Sequence, residues 1–220
     1  MKKADVLKRI HEIGLLPVLR ANSVEEALAL AKAIEAGGIA VLEVTMTVPD
    51  AIEVIHTLIR QTGNRILIGA GTVLDPETAR ACIMAGAEFI VSPALNLKTI
   101  EICHRYGVAV MPGALTPTEV VTAWEAGADV VKIFPCSALG GAKYLKALKA
   151  PLPHIELIPT GGVSLTTAAD FLAAGAFALG VGGDLVDPGA IAAGTPEIVT
   201  EGAKAYREVI RKARVQHGNV

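Results

Sequence analysis

Short apolar runs alternate with longer segments of helical periodicity along this chain. The runs are LLPVLR (15–20), IAVLEV (39–44), ILIGA (66–70), EFIVS (88–92), VAVMP (108–112), DVVKIF (129–134), IELIP (155–159) and FALGVG (177–182), eight in all. Most are continuous in hydrophobicity, the pattern of strands buried on both faces in a parallel sheet covered by helices. A sheet with one wet face would alternate apolar and polar positions instead. The segments between the runs carry helix-start signals. Ser23 precedes VEEALALAKAIEA with Glu26 three residues on, a capping-box pattern. Pro49 precedes DAIEVIHTLIR. Asp75-Pro76-Glu77 combines a cap, a first-turn proline and an acid near the positive dipole end, and Thr116-Pro117-Thr118-Glu119 does the same. Ser164 is expected to cap LTTAADFLAA, and 196–216 reads as a final helix with a polar tail.

A repeat underlies this alternation. Gly37-Gly38-Ile39-Ala40, Ala85-Gly86-Ala87-Glu88, Ala126-Gly127-Ala128-Asp129 and Ala174-Gly175-Ala176-Phe177 each lead into an apolar run. They stand before the second, fourth, sixth and eighth runs, as a helix end, a glycine stop and a strand start. Any helix-to-strand loop can look like this, but four at every second strand favour four βαβα quarters of a (βα)8 barrel. A doubly wound open sheet is the competitor, and no GxGxxG follows its first strand. The expected organisation is one α/β domain: an added N-terminal helix at 1–13, a TIM barrel at 14–195, and a C-terminal helix and tail at 196–220.

Composition narrows the classes. Of 220 residues, 52% are hydrophobic and only 4% aromatic, so the apolar mass is Ala, Val, Ile and Leu rather than stacking surface. Net charge is -2, which gives no general attraction to nucleic acid or an anionic membrane. No window approaches 18 uninterrupted apolar residues, and residues 1–12 lack the apolar core of a signal peptide. Three cysteines are too few for a disulfide framework and fit a cytoplasmic setting.

Barrel chemistry collects at the C-terminal ends of strands. Two charged residues stand inside otherwise apolar runs, Lys132 in DVVKIF and Glu43 in IAVLEV. Burying an ionised amine or carboxylate is costly unless it is paired. One account is a structural ion pair between neighbouring strands, or a lysine that snorkels to solvent. The other is a nucleophilic lysine, made reactive by desolvation, with a carboxylate moving its protons. A second constellation is glycine-rich: Thr160-Gly161-Gly162-Val163-Ser164 after the seventh run and Gly180-Val181-Gly182-Gly183 after the eighth. Loops at those two places commonly hold phosphate through bare backbone N–H groups, although glycines also serve tight turns. His11, His56, His104, His154 and His217 lack metal-ligand spacing, so no metal and no cofactor are expected. Cys82 and Cys103 read as buried helix residues, Cys136 stands near the proposed site, and Trp124 reads as core or interface.

At these positions the chain resembles the 2-keto-3-deoxy-6-phosphogluconate (KDPG) and 4-hydroxy-2-oxoglutarate (KHG) aldolase family. The resemblance runs over residues 14–190 through PVLRANSVEEA, LEVTMTVPDA, IGAGTV, EFIVSP, MPGALTPTE, VKIFPCSALGGAKYLKAL, LIPTGGV and LGVGGDL. It implies a (βα)8 barrel, usually a homotrimer, working as a metal-free class I aldolase on a small 2-oxoacid. By motif, Lys132 resembles the Schiff-base lysine and Glu43 the general acid/base. Thr72 resembles a pyruvate contact, Thr160 a residue governing stereoselectivity, and Arg20 a site arginine. Pro93, Pro112 and Phe134 resemble wall residues, and Gly161, Gly162, Gly182 and Gly183 the phosphate cradle.

Two positions depart from the family pattern. Thr47 stands where many members carry an arginine for the pyruvate carboxylate, so Arg20 is expected to take more of that role. Asp184 follows Gly183 where many members have a phosphate-binding serine. A carboxylate beside a phosphate site is unfavourable unless it points away. KDPG, cleaved to pyruvate and glyceraldehyde 3-phosphate, therefore stands beside an unphosphorylated substrate such as KHG, cleaved to pyruvate and glyoxylate. Two other classes stay open from the residues alone. One is a phosphate-binding isomerase or synthase in which Lys132 only stabilises charge. The other is a non-catalytic binding or assembly barrel in which Lys132 and Glu43 form a structural pair.

Overall fold

The computed structural model describes residues 1–216, so His217 lies outside the described residues. Strands and helices alternate as the apolar runs require. The first half holds α1 (Lys3–Ile13), β1 (Leu15–Leu19), α2 (Val24–Ala36), β2 (Val41–Thr45), α3 (Ala51–Thr62), β3 (Leu67–Gly71), α4 (Pro76–Met84), β4 (Phe89–Val91) and α5 (Leu97–Tyr106). The second half holds β5 (Ala109–Met111), β6 (Gly113–Ala114), α6 (Pro117–Glu125), β7 (Val131–Ile133), a 3₁₀ turn at Cys136–Leu139, and α7 (Ala142–Lys149). It ends with β8 (Leu157–Pro159), α8 (Ala168–Ala173), β9 (Leu179–Val181), α9 (Pro188–Ala192) and α10 (Glu197–Gln216). No helix among the described residues is long and apolar enough to cross a membrane.

All pairings are parallel, in the orders β5-β4-β3-β2-β1-β9 and β6-β7-β8. Every strand residue is buried. That is why the runs are continuous: helices cover the outer face while the inner face packs on itself. The two sheets meet at both of their ends. At one, β5 passes through Pro112 into β6, and the Lys132 N–H donates to Pro112 O at 2.8 Å. At the other, Thr160 and Gly180 form a parallel bridge, and the Phe177 N–H donates to Leu157 O at 2.8 Å. The fifth apolar run thus holds β5 alone, and a second short strand, β6, follows just past its end. Pro112 has no N–H to give to a ladder, so the pairing breaks there and resumes at Gly113.

Close approach sets two strand glycines. A Cβ on Gly69 would lie 2.2 Å from the Phe89 ring, and one on Gly180 would lie 2.1 Å from Thr160 Oγ1. Helix starts follow the expected caps with two corrections. The Ser23 hydroxyl accepts the Glu26 N–H at 3.2 Å, but Glu26 Oε2 accepts from the Asn22 N–H rather than from Ser23. The carboxylate overshoots by one residue, so the box is one-sided. Ser164 does not cap α8, whose N-cap is Thr167. Ser164 and Thr167 instead close a turn, the Ser164 N–H donating to Thr167 Oγ1 at 2.9 Å, and the helix begins only after it. At Thr116 the full reciprocal box forms.

Helix α1 lies across the N-terminal ends of the strands. Lys3 Nζ pairs with Asp129 at 2.8 Å, just before β7. The Met1 amine pairs with Glu88 before β4, and Arg9 donates to the carbonyls of Asn64 and Arg65 before β3. His11 Nδ1 meets Phe177 O, before β9. The opposite, C-terminal ends of the strands stay free of this helix.

Candidate active site

Lys132 is the middle residue of β7, in register with Gly113 on β6 and Ile158 on β8. Glu43 is the middle residue of β2, in register with Val18 on β1 and Gly69 on β3. β2 belongs to the six-stranded sheet and β7 to the three-stranded one. Even so, Lys132 Nζ lies 3.7 Å from Glu43 Oε1, with side-chain exposures of only 6% and 1%. Both side chains therefore point into the space the sheets share. The pair crosses the interior, not neighbouring strands as the structural alternative supposed.

Geometry and burial give the pair its chemistry. A separation of 3.7 Å is a charge contact beyond hydrogen-bond reach. Glu43 Oε1 has no hydrogen-bond partner among the described residues. Burial raises the Glu43 pKa above its ordinary value, against the opposing pull of the Lys132 and Arg20 charges. Such a carboxylate gains and loses a proton nearer neutral pH than a solvated one. The Phe134 ring supports the ammonium from the side, its centroid 5.5 Å from Nζ. Gly71 makes room for the carboxylate, since a Cβ there would lie 1.9 Å from Glu43 Oε1.

The remaining candidates stand on the rim around this pair. Arg20 follows β1 and is exposed. Thr45 donates its hydroxyl to Leu19 O at 3.0 Å, and the Thr47 hydroxyl lies 2.7 Å from that of Thr45. Those bonds hold the ends of β1 and β2 side by side, so Arg20 and Thr47 share one stretch of rim. Thr72 follows β3 with φ 57°, a left-handed conformation that a threonine holds only under constraint. Pro93 backs β6 closely, because a Cβ on Gly113 would lie 2.2 Å from the Pro93 carbonyl.

Thr160 is buried at the end of β8 and tied across to β7, its N–H donating to Ile133 O at 3.0 Å and its carbonyl accepting from Cys136 at 2.9 Å. Gly161 and Gly162 have φ of 90° and 74°. A Cβ on Gly162 would lie 2.4 Å from Ser137 Cβ, a neighbour that no sequence signal indicates. Gly182 and Gly183 face open space on the side where a Cβ would project. The Gly162 and Gly183 N–H groups make no loop or turn hydrogen bond among the described residues.

Direct contact thus joins Lys132, Glu43 and Phe134, while Arg20, Thr47, Thr72, Pro93, Thr160 and the four glycines stand at strand ends around them. Two residues escape sequence reasoning. Gly71 reads only as a strand-end glycine until the Glu43 carboxylate is seen lying over it. Tyr206, on α10, donates to Asp184 Oδ2 at 2.5 Å, and nothing local in the sequence joins residues so far apart. Cys136 is buried and its thiol is pushed up to about 11 by desolvation, so it stays a protonated, unreactive thiol at neutral pH. Among the described residues no group of three His, Cys, Asp or Glu is arranged to hold a metal ion.

Comparison with known proteins covers nearly the whole chain. The family model for KDPG and KHG aldolases matches residues 6–201. A 2-dehydro-3-deoxy-phosphogluconate aldolase of Treponema pallidum (strain Nichols) is 39% identical over 76% of this chain and 80% of its own length. A 2-dehydro-3-deoxy-6-phosphogalactonate aldolase of Escherichia coli (strain K12) is 38% identical over 91% of this chain and 98% of its own. The solved KDPG aldolase of Legionella pneumophila, with pyruvate captured as a covalent carbinolamine, superposes with a TM-score of 0.85 at 31% identity, covering 91% of this chain and 97% of that one.

Proposed function

Since this chain belongs to the KDPG and KHG aldolase family, we propose that it is a class I aldolase, a lyase, with Lys132 as its Schiff-base nucleophile and Glu43 as its proton carrier. The observation that carries the assignment is the buried pair itself, Nζ 3.7 Å from a carboxylate oxygen that has no other partner. A purely structural pair gains from hydrogen bonds that satisfy its remaining lone pairs, and Glu43 Oε1 lacks one.

The chemistry follows from that geometry. The neutral Lys132 amine attacks the C2 ketone of a 4-hydroxy-2-oxoacid and forms a carbinolamine. Proton transfer through Glu43 lets water leave, giving a protonated imine. Glu43 then takes the proton of the C4 hydroxyl. The C3–C4 electron pair moves into the imine, releasing an aldehyde and leaving an enamine of pyruvate. Glu43 returns a proton to C3, and hydrolysis of the imine releases pyruvate and restores the amine.

The rim supplies recognition in the same proposal. Arg20 holds the 2-oxoacid carboxylate with help from the Thr47 hydroxyl. Thr72, Pro93 and Phe134 wall the pyruvate portion. Thr160 faces the new hydroxyl centre. Gly161, Gly162, Gly182 and Gly183 cradle a phosphate, supported by N–H groups at Gly162 and Gly183 that make no loop or turn hydrogen bond among the described residues. The substrate class is therefore KDPG-type acids, with KHG a second substrate that leaves the cradle empty.

The two sheets are read as one closed (βα)8 barrel over residues 14–195, supported by the joins at Pro112 and at the Thr160–Gly180 bridge. Helix α1 is its floor, and 196–220 its C-terminal helix and tail. A homotrimer fits the exposed Leu74, Met84, Leu97 and Trp124; a solution mass of one chain would refute it. The buried, unpaired cysteines suit a cytoplasmic setting.

The functional test is pyruvate release, followed by a coupled dehydrogenase, from KDPG and from KHG. Release from KDPG is expected, and from KHG with a higher KM. Failure to release pyruvate from either acid would refute the proposal.

A further inference from the structure

Helix α10 braces the loop that follows β9. Two of its residues, one turn apart and on the same face, meet that loop. A Cβ on Gly202 would lie 3.2 Å from Leu185 Cδ1, and the Tyr206 hydroxyl donates to Asp184 Oδ2 at 2.5 Å. Tyr206 is fully buried, so its ring is fixed by packing and its hydroxyl is aimed at one place. Burial and the Asp184 charge both raise its pKa, so it stays a donor across the working range.

Asp184 directly follows Gly183. It is the one acid within Thr160–Ser164 and Gly180–Asp184, the two segments that form the proposed cradle. A carboxylate free to turn toward those glycines would accept their open N–H groups and repel a phosphate dianion. The hydrogen bond instead engages it with α10, which packs on α2 and α8. We propose that Tyr206 is a positioning residue: it holds the Asp184 carboxylate against α10 and away from the glycine cradle, and so sets the preference for phosphorylated over unphosphorylated 2-oxoacids. This inference rests on the cradle assignment made above. Such a brace would let a phosphorylated substrate bind beside an aspartate where a serine is common.

The test compares KDPG with its unphosphorylated counterpart, 2-keto-3-deoxygluconate, on wild type, Tyr206→Phe, Asp184→Asn and the double variant. Thermal melting is used to confirm folding. Wild type is expected to show the lower KM for KDPG. Tyr206→Phe should raise the KDPG KM about tenfold, equivalent to about 1.4 kcal/mol. The kcat and the KM for the unphosphorylated acid should hold. Adding Asp184→Asn to Tyr206→Phe should restore the KDPG KM. Asp184→Asn alone should leave it unchanged, because the charge already points away.

Each result separates the two readings. A wild type with equal KM for both acids removes the cradle and this inference together. A wild type that discriminates, with Tyr206→Phe shifting both KM values alike or neither, removes only the role of Tyr206. A fall in the KDPG KM for Asp184→Asn alone also refutes it, and that result does not depend on Tyr206→Phe folding.

Discussion

A single missing methyl group decides whether the Glu43 carboxylate can lie where it does. Gly71 Cα faces that carboxylate, and a Cβ would come within 1.9 Å of Oε1. Gly71→Ala must therefore move the carboxylate or the strand. Misplacing a reacting group by about 1 Å costs about a hundredfold, so kcat should fall by that order while the far-ultraviolet circular dichroism is preserved. Unchanged kcat would mean that Glu43 is not the proton carrier. The pH profile probes the same group. Burial raises the Glu43 pKa, so the ionised base is present above that raised value and lost as pH falls through it. The acid limb of kcat/KM should lie above the ordinary glutamate pKa of about 4.3. A limb at or below it would contradict the assignment. Glu43→Gln should remove the limb together with most of the activity.

Helices show which local signals act alone and which depend on packing. At α6 the Thr116 hydroxyl accepts the Glu119 N–H at 3.3 Å, and Glu119 Oε2 accepts the Thr116 N–H at 2.8 Å. Thr116→Ala should lower the stability measured by denaturant unfolding by about 1 kcal/mol with kcat/KM intact, and an unmoved midpoint would refute the box's contribution. This cap was legible because all its atoms lie within four residues. The buried strands were legible too, because burial on both faces leaves no polar alternation to confuse the pattern. Lys132 and Glu43 were legible as charges inside such strands. The break at Pro112 was written in the chain, since proline cannot donate, but a run of apolar residues masks it. The shift from Ser164 to Thr167 was not legible, because both hydroxyls compete for one turn. The brace of Asp184 by Tyr206 depends on where α10 packs, which local pattern does not carry.

At the scale of the whole molecule, the apolar excess and the scarcity of charge have one meaning. Nine short parallel strands, all buried, leave an interior with almost no polar groups. Into it come one lysine from one sheet and one glutamate from the other. An interior of this kind penalises the charged form of Glu43 and makes its pairing with Lys132 matter. Helix α1, at the N-terminal ends of the strands, ties Met1, Lys3, Arg9 and His11 to the segments before four of them. The other end, with its strand ends and glycine loops, is left free of this helix, as the proposed site there requires. Catalysis by this pair requires Lys132 to form a covalent bond to the substrate ketone. Incubating the protein with pyruvate, reducing with borohydride and mapping the adduct by peptide mass spectrometry tests it most directly. One reduced pyruvate adduct per chain, located on Lys132 and absent from Lys132→Arg, is the expected result. No adduct, or an adduct on another lysine, would contradict it.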